Sequence, residues 1–298
     1  MLFHIMKIAS LAAFVCNGPA TRNSCEHSRH RVIEPKMDIA PVYSILNQQR
    51  LPFRRLLLHS SNTKDEDEEI PDISDLRKEI KQYSQSRYGT GLEQAEQALR
   101  KMFRWYSEGK GNNRVNVVDC NKVIHSWSKS RKKDAPQRAL SLLNEMTSIY
   151  EEGTNEAMQP DVFTYTTVIN AFAQRGDVNG ATKVFTMQVK DYKENENYSA
   201  KPNLRTFNTL INSWSKSGRD DAPEEAGKIW GAINKWVEIG DLDAGPDVFT
   251  FNSMINCWAK SNRPNAPRRA KKLLDTMIDK HKSGDLDEGP NAVTYCSV

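Results

Sequence analysis

The stretch Pro246–Lys260 limits the fold of this chain more than any other, because near-copies of it recur upstream and another begins close to the last residue. Taking the residue after each boundary pair as place one, the copies start at Val117, Val162, Leu204, Val248 and Ala292, spaced 45, 42, 44 and 44 residues apart. Self-similarity at such a period belongs to stacked repeats, each unit too small to bury its own apolar face. The later copies open after Pro160-Asp161, Pro202-Asn203, Pro246-Asp247 and Pro290-Asn291, whereas the first has Asn116 at its boundary and no proline. Proline is not accommodated inside a helix, so it separates the units.

Within each copy the apolar residues fall at places four, seven, eight and eleven. Tyr165, Val168, Ile169 and Phe172 show the pattern, and Cys120, Val123, Ile124 and Trp127 hold it in the first copy. That is the stripe of a helix with one buried face, and it assigns the eleventh-place aromatics to packing between units. Thr164, Thr206, Thr250 and Thr294 recur at place three, with Asp119 as substitute, and are read here as helix caps. A second stripe follows in every unit, for example Ala139, Leu142, Leu143 and Met146. Three of these second helices open with Asp134-Ala135-Pro136, Asp221-Ala222-Pro223 or Asn265-Ala266-Pro267, which suits a cap followed by proline in the first turn. The expected fold is therefore all-α, an α-solenoid of stacked helical hairpins. Its units are 117–161, 162–203, 204–247 and 248–291, with 73–116 as a degenerate capping unit and 292–298 as a truncated repeat that looks like the start of a fifth.

Residues 1–63 differ in kind. They hold eight Lys or Arg against three acids, with no acid between Ile39 and Thr63, and end in Arg54-Arg55 before an apolar and hydroxyl-rich run. This leader resembles an organelle transit peptide, with a mitochondrion favoured over a plastid. The short apolar run Ile8–Val15 also fits a weak secretory signal, and Met6 or Met37 could be alternative starts to a disordered tail. The leader accounts for about +5 of the chain's net charge of +4, so the rest is near neutral and net charge does not argue for a nucleic-acid partner. Residues 64–72 read as an acidic linker.

The connections after each second helix are acid-rich, while the turns inside each unit carry Lys129, Arg131, Lys132, Lys133, Arg175, Lys216, Arg219, Lys260 and Arg263. Stacking aligns equivalent places, so the expectation is one basic edge and one acidic edge. The five cysteines, Cys16, Cys25, Cys120, Cys257 and Cys296, form no paired ligand motif, and Cys25 with His27 and His30 is only a faint cluster in the leader. No metal, cofactor, catalytic group or membrane span is expected, although a catalytic domain beyond residue 298 stays open.

With two helices per unit, Thr-(Tyr/Phe)-(Asn/Thr) at places three to five and a Pro-(Asp/Asn) boundary, the chain resembles the pentatricopeptide repeat family over roughly residues 117–298. The resemblance implies a right-handed superhelix that binds single-stranded RNA in mitochondria or plastids, one base per repeat. Carried over by position, the base-reading pairs are Asn121 with Asp161, Thr166 with Asn203, Asn208 with Asp247, and Asn252 with Asn291. The implied read is U-A-U-pyrimidine, with Val118, Phe163, Arg205 and Phe249 flanking the bases and Lys129, Lys216 and Lys260 on phosphates. Gln174 takes the lysine's place in the second unit, and Arg205 replaces an apolar flanking residue. The units are also longer than the family's common one. The resemblance points to an RNA-binding monomer that recruits or assists RNA-processing proteins. The other reading is a protein-interaction scaffold, which has no need of those polar pairs.

Overall fold

A computed structural model describes residues 73–84, 89–108, 115–153 and 155–297; the leader and the linker ahead of Ile73 lie outside the described residues. Eleven α-helices follow one another, and no strand occurs among the described residues. They are α1 (Ile73–Ser84), α2 (Gly89–Ser107), α3 (Val117–Lys129), α4 (Ala135–Glu151), α5 (Val162–Ala173), α6 (Val178–Glu194), α7 (Leu204–Lys216), α8 (Ala222–Glu238), α9 (Val248–Ala259), α10 (Ala266–Ser283) and α11 (Ala292–Cys296).

The helices pair as hairpins and the hairpins stack. First helices α1, α3, α5, α7 and α9 each lie against the next, and α9 touches α11. Second helices α2, α4, α6 and α8 each pack on their own partner and on the following first helix. The first helices thus form one continuous layer. This arrangement is a helical-repeat solenoid, whose stability comes from each unit and its neighbours.

The reason lies in the stripes. Fourth-place Tyr165, Phe207 and Phe251 are fully buried, and so are Ile124, Ile169, Ile211 and Ile255 at place eight. At place eleven Trp127, Phe172 and Trp214 are buried and Trp258 is half-buried, so these aromatics are core. Second-helix residues meet them edge-on: Phe185 against Phe207 at 5.4 Å, and Trp230 against Phe251 at 4.8 Å between ring centroids. Each such side chain contributes about 1.5–3 kcal/mol by leaving water.

The long connections are anchored rather than loose. Each sends one apolar residue into the core: Met158, Ala200, Leu242 and Leu286. Two of them contain a short 3₁₀ turn, Glu156–Met158 and Tyr198–Ala200. Just ahead of those turns Asn155 Nδ2 donates to Val115 O at 2.7 Å, and Asn197 Nδ2 donates to Pro160 O at 2.8 Å. Both amides reach back a whole unit to the carbonyl that precedes the earlier helix cap. Successive helix starts are thereby tied together.

Helix starts differ from the expectation in one respect. The caps are the boundary residues Asn116, Asp161, Asn203, Asp247 and Asn291, whose side chains accept from the backbone N–H three residues on. The third-place threonines sit one turn inside and return the bond to the backbone of the cap in a reciprocal capping box. Asp134, Asp221 and Asn265 stand at the predicted cap places but make no capping bond. Asp134 instead holds Arg138, and Asp221 holds Arg219.

Candidate nucleic-acid interface

Places two, five, nine and thirteen of each first helix lie along one helix face, because steps of three and four residues return to the same side. Place two is a row of surface residues. Val118, Phe163, Phe249 and Val293 are 55%, 44%, 71% and 61% exposed, and Arg205 is exposed as well. Large apolar groups repeated on a surface mark a contact face rather than a core. Val293, the second-place residue of the fifth copy, belongs to this row although the flanking assignment had stopped at Phe249.

At place five the structure joins each predicted pair. Asn208 Nδ2 donates to Asp247 Oδ1 at 3.0 Å, and Asn121 Nδ2 lies 3.4 Å from Asp161 Oδ1. The third-place threonine of the following unit ties the two members together. Thr164 Oγ1 is 2.7 Å from both Asn121 Oδ1 and Asp161 Oδ1, and Thr250 Oγ1 is 2.7 Å from Asn208 Oδ1 and 2.8 Å from Asp247 Oδ1. Thr294 does the same for Asn252 and Asn291, at 2.6 Å and 3.2 Å. In the Thr166 pair the link is hydroxyl to hydroxyl: Thr166 Oγ1 meets Thr206 Oγ1 at 2.9 Å, and Thr206 reaches Asn203 Oδ1 at 3.2 Å. Thr166 is the one buried member of these pairs; the others are half-buried or exposed. Sequence reasoning assigned these threonines only to capping. Their second partner lies about a whole unit earlier in the sequence, so only the stacking of the units brings it within reach.

Capping fixes which atoms each boundary residue presents. Asn203 and Asn291 must point Oδ1 at the helix N–H groups, at 3.1 Å and 3.2 Å. Their amide NH₂ is left facing outward as a donor. Asp161 and Asp247 use Oδ1 in the same way, so what they present is a second carboxylate oxygen, an acceptor.

The ninth-place row is His125, Asn170, Asn212 and Asn256. Asn170 accepts from Gln174 Nε2 at 3.1 Å, and Asn256 donates to Ser215 Oγ at 2.8 Å. His125 instead lies against Phe163, ring centroids 6.0 Å apart. At place thirteen Lys129, Lys216 and Lys260 are exposed, and Lys216 Nζ donates to Gln174 at 2.7 Å. Partial burial and the neighbouring Lys260 charge hold the Lys216 pKa below the usual lysine value.

The basic edge is narrower than expected. Arg175 donates to the carbonyls of Ala171, Ser130 and Lys132, closing the ends of two helices. Lys132 pairs with Glu93, Arg219 with Asp221, and Arg263 with Glu224. Short turns force these cations against nearby acids and carbonyls, so place thirteen carries most of the free charge. Cys120 and Cys257 are buried, and burial pushes both thiols up, Cys257 to about 12, which leaves them inert as nucleophiles. Among the described residues no cluster of His, Cys, Asp or Glu could hold a metal, and no helix is long and apolar enough to cross a membrane.

Comparison with protein families gives two matches, both to the PPR repeat, over residues 156–187 and 249–281. The first spans α5 with the start of α6, and the second spans α9 with most of α10. A search of curated proteins finds no match. Two PPR repeat matches within a stack of helical hairpins identify the chain as a pentatricopeptide repeat protein.

Proposed function

We propose that the chain binds single-stranded RNA base by base and serves organellar RNA metabolism as a binder rather than a catalyst. Proteins built of these repeats generally bind RNA. The observation that carries the base-by-base reading is the junction of each fifth-place side chain with the next boundary residue through one threonine. A splayed base set against that junction meets two pre-aligned polar groups, with the exposed second-place residues to stack on.

The direction of each hydrogen bond supports the read. A boundary Asp offers an acceptor, which suits the N3–H of uracil; a boundary Asn offers a donor, which suits the N1 of adenine or the N3 of cytosine. Asn121–Asp161 and Asn208–Asp247 then take uracil, Thr166–Asn203 takes adenine, and Asn252–Asn291 takes a pyrimidine. The acid-poor leader supports a mitochondrial destination, with a plastid as the alternative. Four bases at about 1–3 kcal/mol each are set against an association cost of about 4–15 kcal/mol, so these four sites bind weakly by themselves.

The test is binding to a short single-stranded RNA containing U-A-U-U, against a scrambled RNA and the same DNA, at two salt concentrations. Preference for the first RNA that T166N moves toward a pyrimidine at the second base supports the code. Salt-sensitive binding that ignores sequence leaves only an electrostatic surface, and no binding by the folded protein favours a protein-interaction scaffold.

A further inference from the structure

Asn121, His125 and Lys129 stand four residues apart on α3, so reader, imidazole and ammonium form one line down the exposed face. The next unit adds Phe163 beside the imidazole, and α7 adds the Arg205 guanidinium. The imidazole therefore lies against one exposed aromatic ring and within the field of two cations. The charges acting on His125 are those of Lys129 on its own helix and Arg205 on α7, both positive, and neither makes an ion pair or side-chain hydrogen bond among the described residues. Several other turn cations, Lys132, Arg175, Arg219 and Arg263, are matched by acids or carbonyls. The two here are not, although like charges held together cost free energy unless an anion joins them.

We infer that His125, Lys129 and Arg205 form a seat for one phosphodiester of the bound RNA, next to the base stacked on Phe163, and that protonation of His125 tightens it. This rests on the proposed RNA binding and adds a residue and a control that the base-reading pairs do not supply. Among the four repeats from Val117 to Asn291 the first alone carries a titratable ninth-place residue. Its neighbours carry Asn170, Asn212 and Asn256 at the ninth place, which do not titrate, and two of those amides are already bonded. Burial and the two cations hold the free imidazole's pKa below its ordinary value, so near neutrality it is uncharged. A phosphate entering the seat reverses the sign of its surroundings and draws a proton on.

The full chain and its H125Q and R205Q variants are titrated with the U-A-U-U RNA at about pH 7.5 and about pH 5.8. The expected result is an affinity gain of about fivefold at the lower pH beyond that shown by H125Q, with R205Q binding several-fold more weakly at both. By NMR, the imidazole signal missing from H125Q titrates at higher pH once RNA is bound, and R205Q raises its titration point in the free protein. An equal pH response in the native chain and H125Q, or an imidazole pKa that RNA leaves unchanged, overturns the seat while the base code stands. Absence of RNA binding at both pH values by folded protein overturns both.

Discussion

A single hydroxyl proton serves both halves of each proposed reading pair. Thr250 Oγ1 is within bonding distance of Asn208 and Asp247 and also accepts from Asp247 N at 3.1 Å, yet it has one hydrogen to donate. T250V removes that link and half of the capping box while keeping the shape. It is expected to lower stability by about 1 kcal/mol in a denaturant titration and to weaken binding to RNA with uracil at the third position. D247N keeps the cap but turns the outward acceptor into a donor. The expected outcome is loss of uracil preference at the third base in favour of cytosine, read by competition among the four RNAs. His125 gives a sign to the pH dependence of the free protein. Its folded pKa lies below the unfolded value of about 6.5, so the unfolded chain takes up the proton more readily and stability falls as pH drops below that value. H125Q flattens this trend between about pH 7 and about pH 5. That the fifth-place and boundary side chains meet was legible in the sequence because they recur with the period. The role of the third-place threonine was not, since a threonine one turn inside a helix and a threonine at its cap look alike in a row of letters.

Among the elements, the hairpins and their buried faces were legible down to the eleventh-place aromatics, because a buried stripe has only one way to repeat. The turns were not. The turn between α5 and α6 is four residues long and reverses through Gly176, whose φ is +66°. A Cβ there meets the carbonyl oxygen of Lys216 at 2.5 Å, so the backbone of one unit rests directly on the first helix of the next. A Cβ at Gly180 likewise overlaps the Phe172 ring of its own unit. G176A combines left-handed strain with a backbone overlap, and is expected to cost at least about 1–3 kcal/mol, seen as a lower midpoint of unfolding. Short polar turns carry no period, and only packing on the neighbouring unit shows why a glycine sits there. Likewise Asn155 and Asn197 lie in acid-rich connections that read as solvated, yet their amides clamp backbone a full unit away.

At the scale of the molecule, stacking turns isolated features into rows: apolar at place two, polar at place five, cationic at place thirteen. The cationic row was legible only in part, since the sequence does not say which turn cations find acids and which stay free. Lys216 and Lys260 repel each other across adjacent units. Changing both to alanine is expected to reduce the slope of log affinity against log salt by about 1.4 in magnitude, at about 0.7 for each phosphate of a single strand that a lysine no longer neutralises. The base preference should stay unaltered. Each proposed reading pair also straddles a border, with one member in a unit and the other capping the next. The unit of folding and the unit of reading are therefore out of phase, which bears on how such a chain can grow. A gene duplication that copies the hairpin together with its own cap, residues 161–202, keeps every existing letter and inserts one in which Thr166 faces a copy of Asp161. That composite, threonine with an acceptor, occurs nowhere in the present array. Under the proposed code, copying that unit thus writes a new letter instead of repeating an old one.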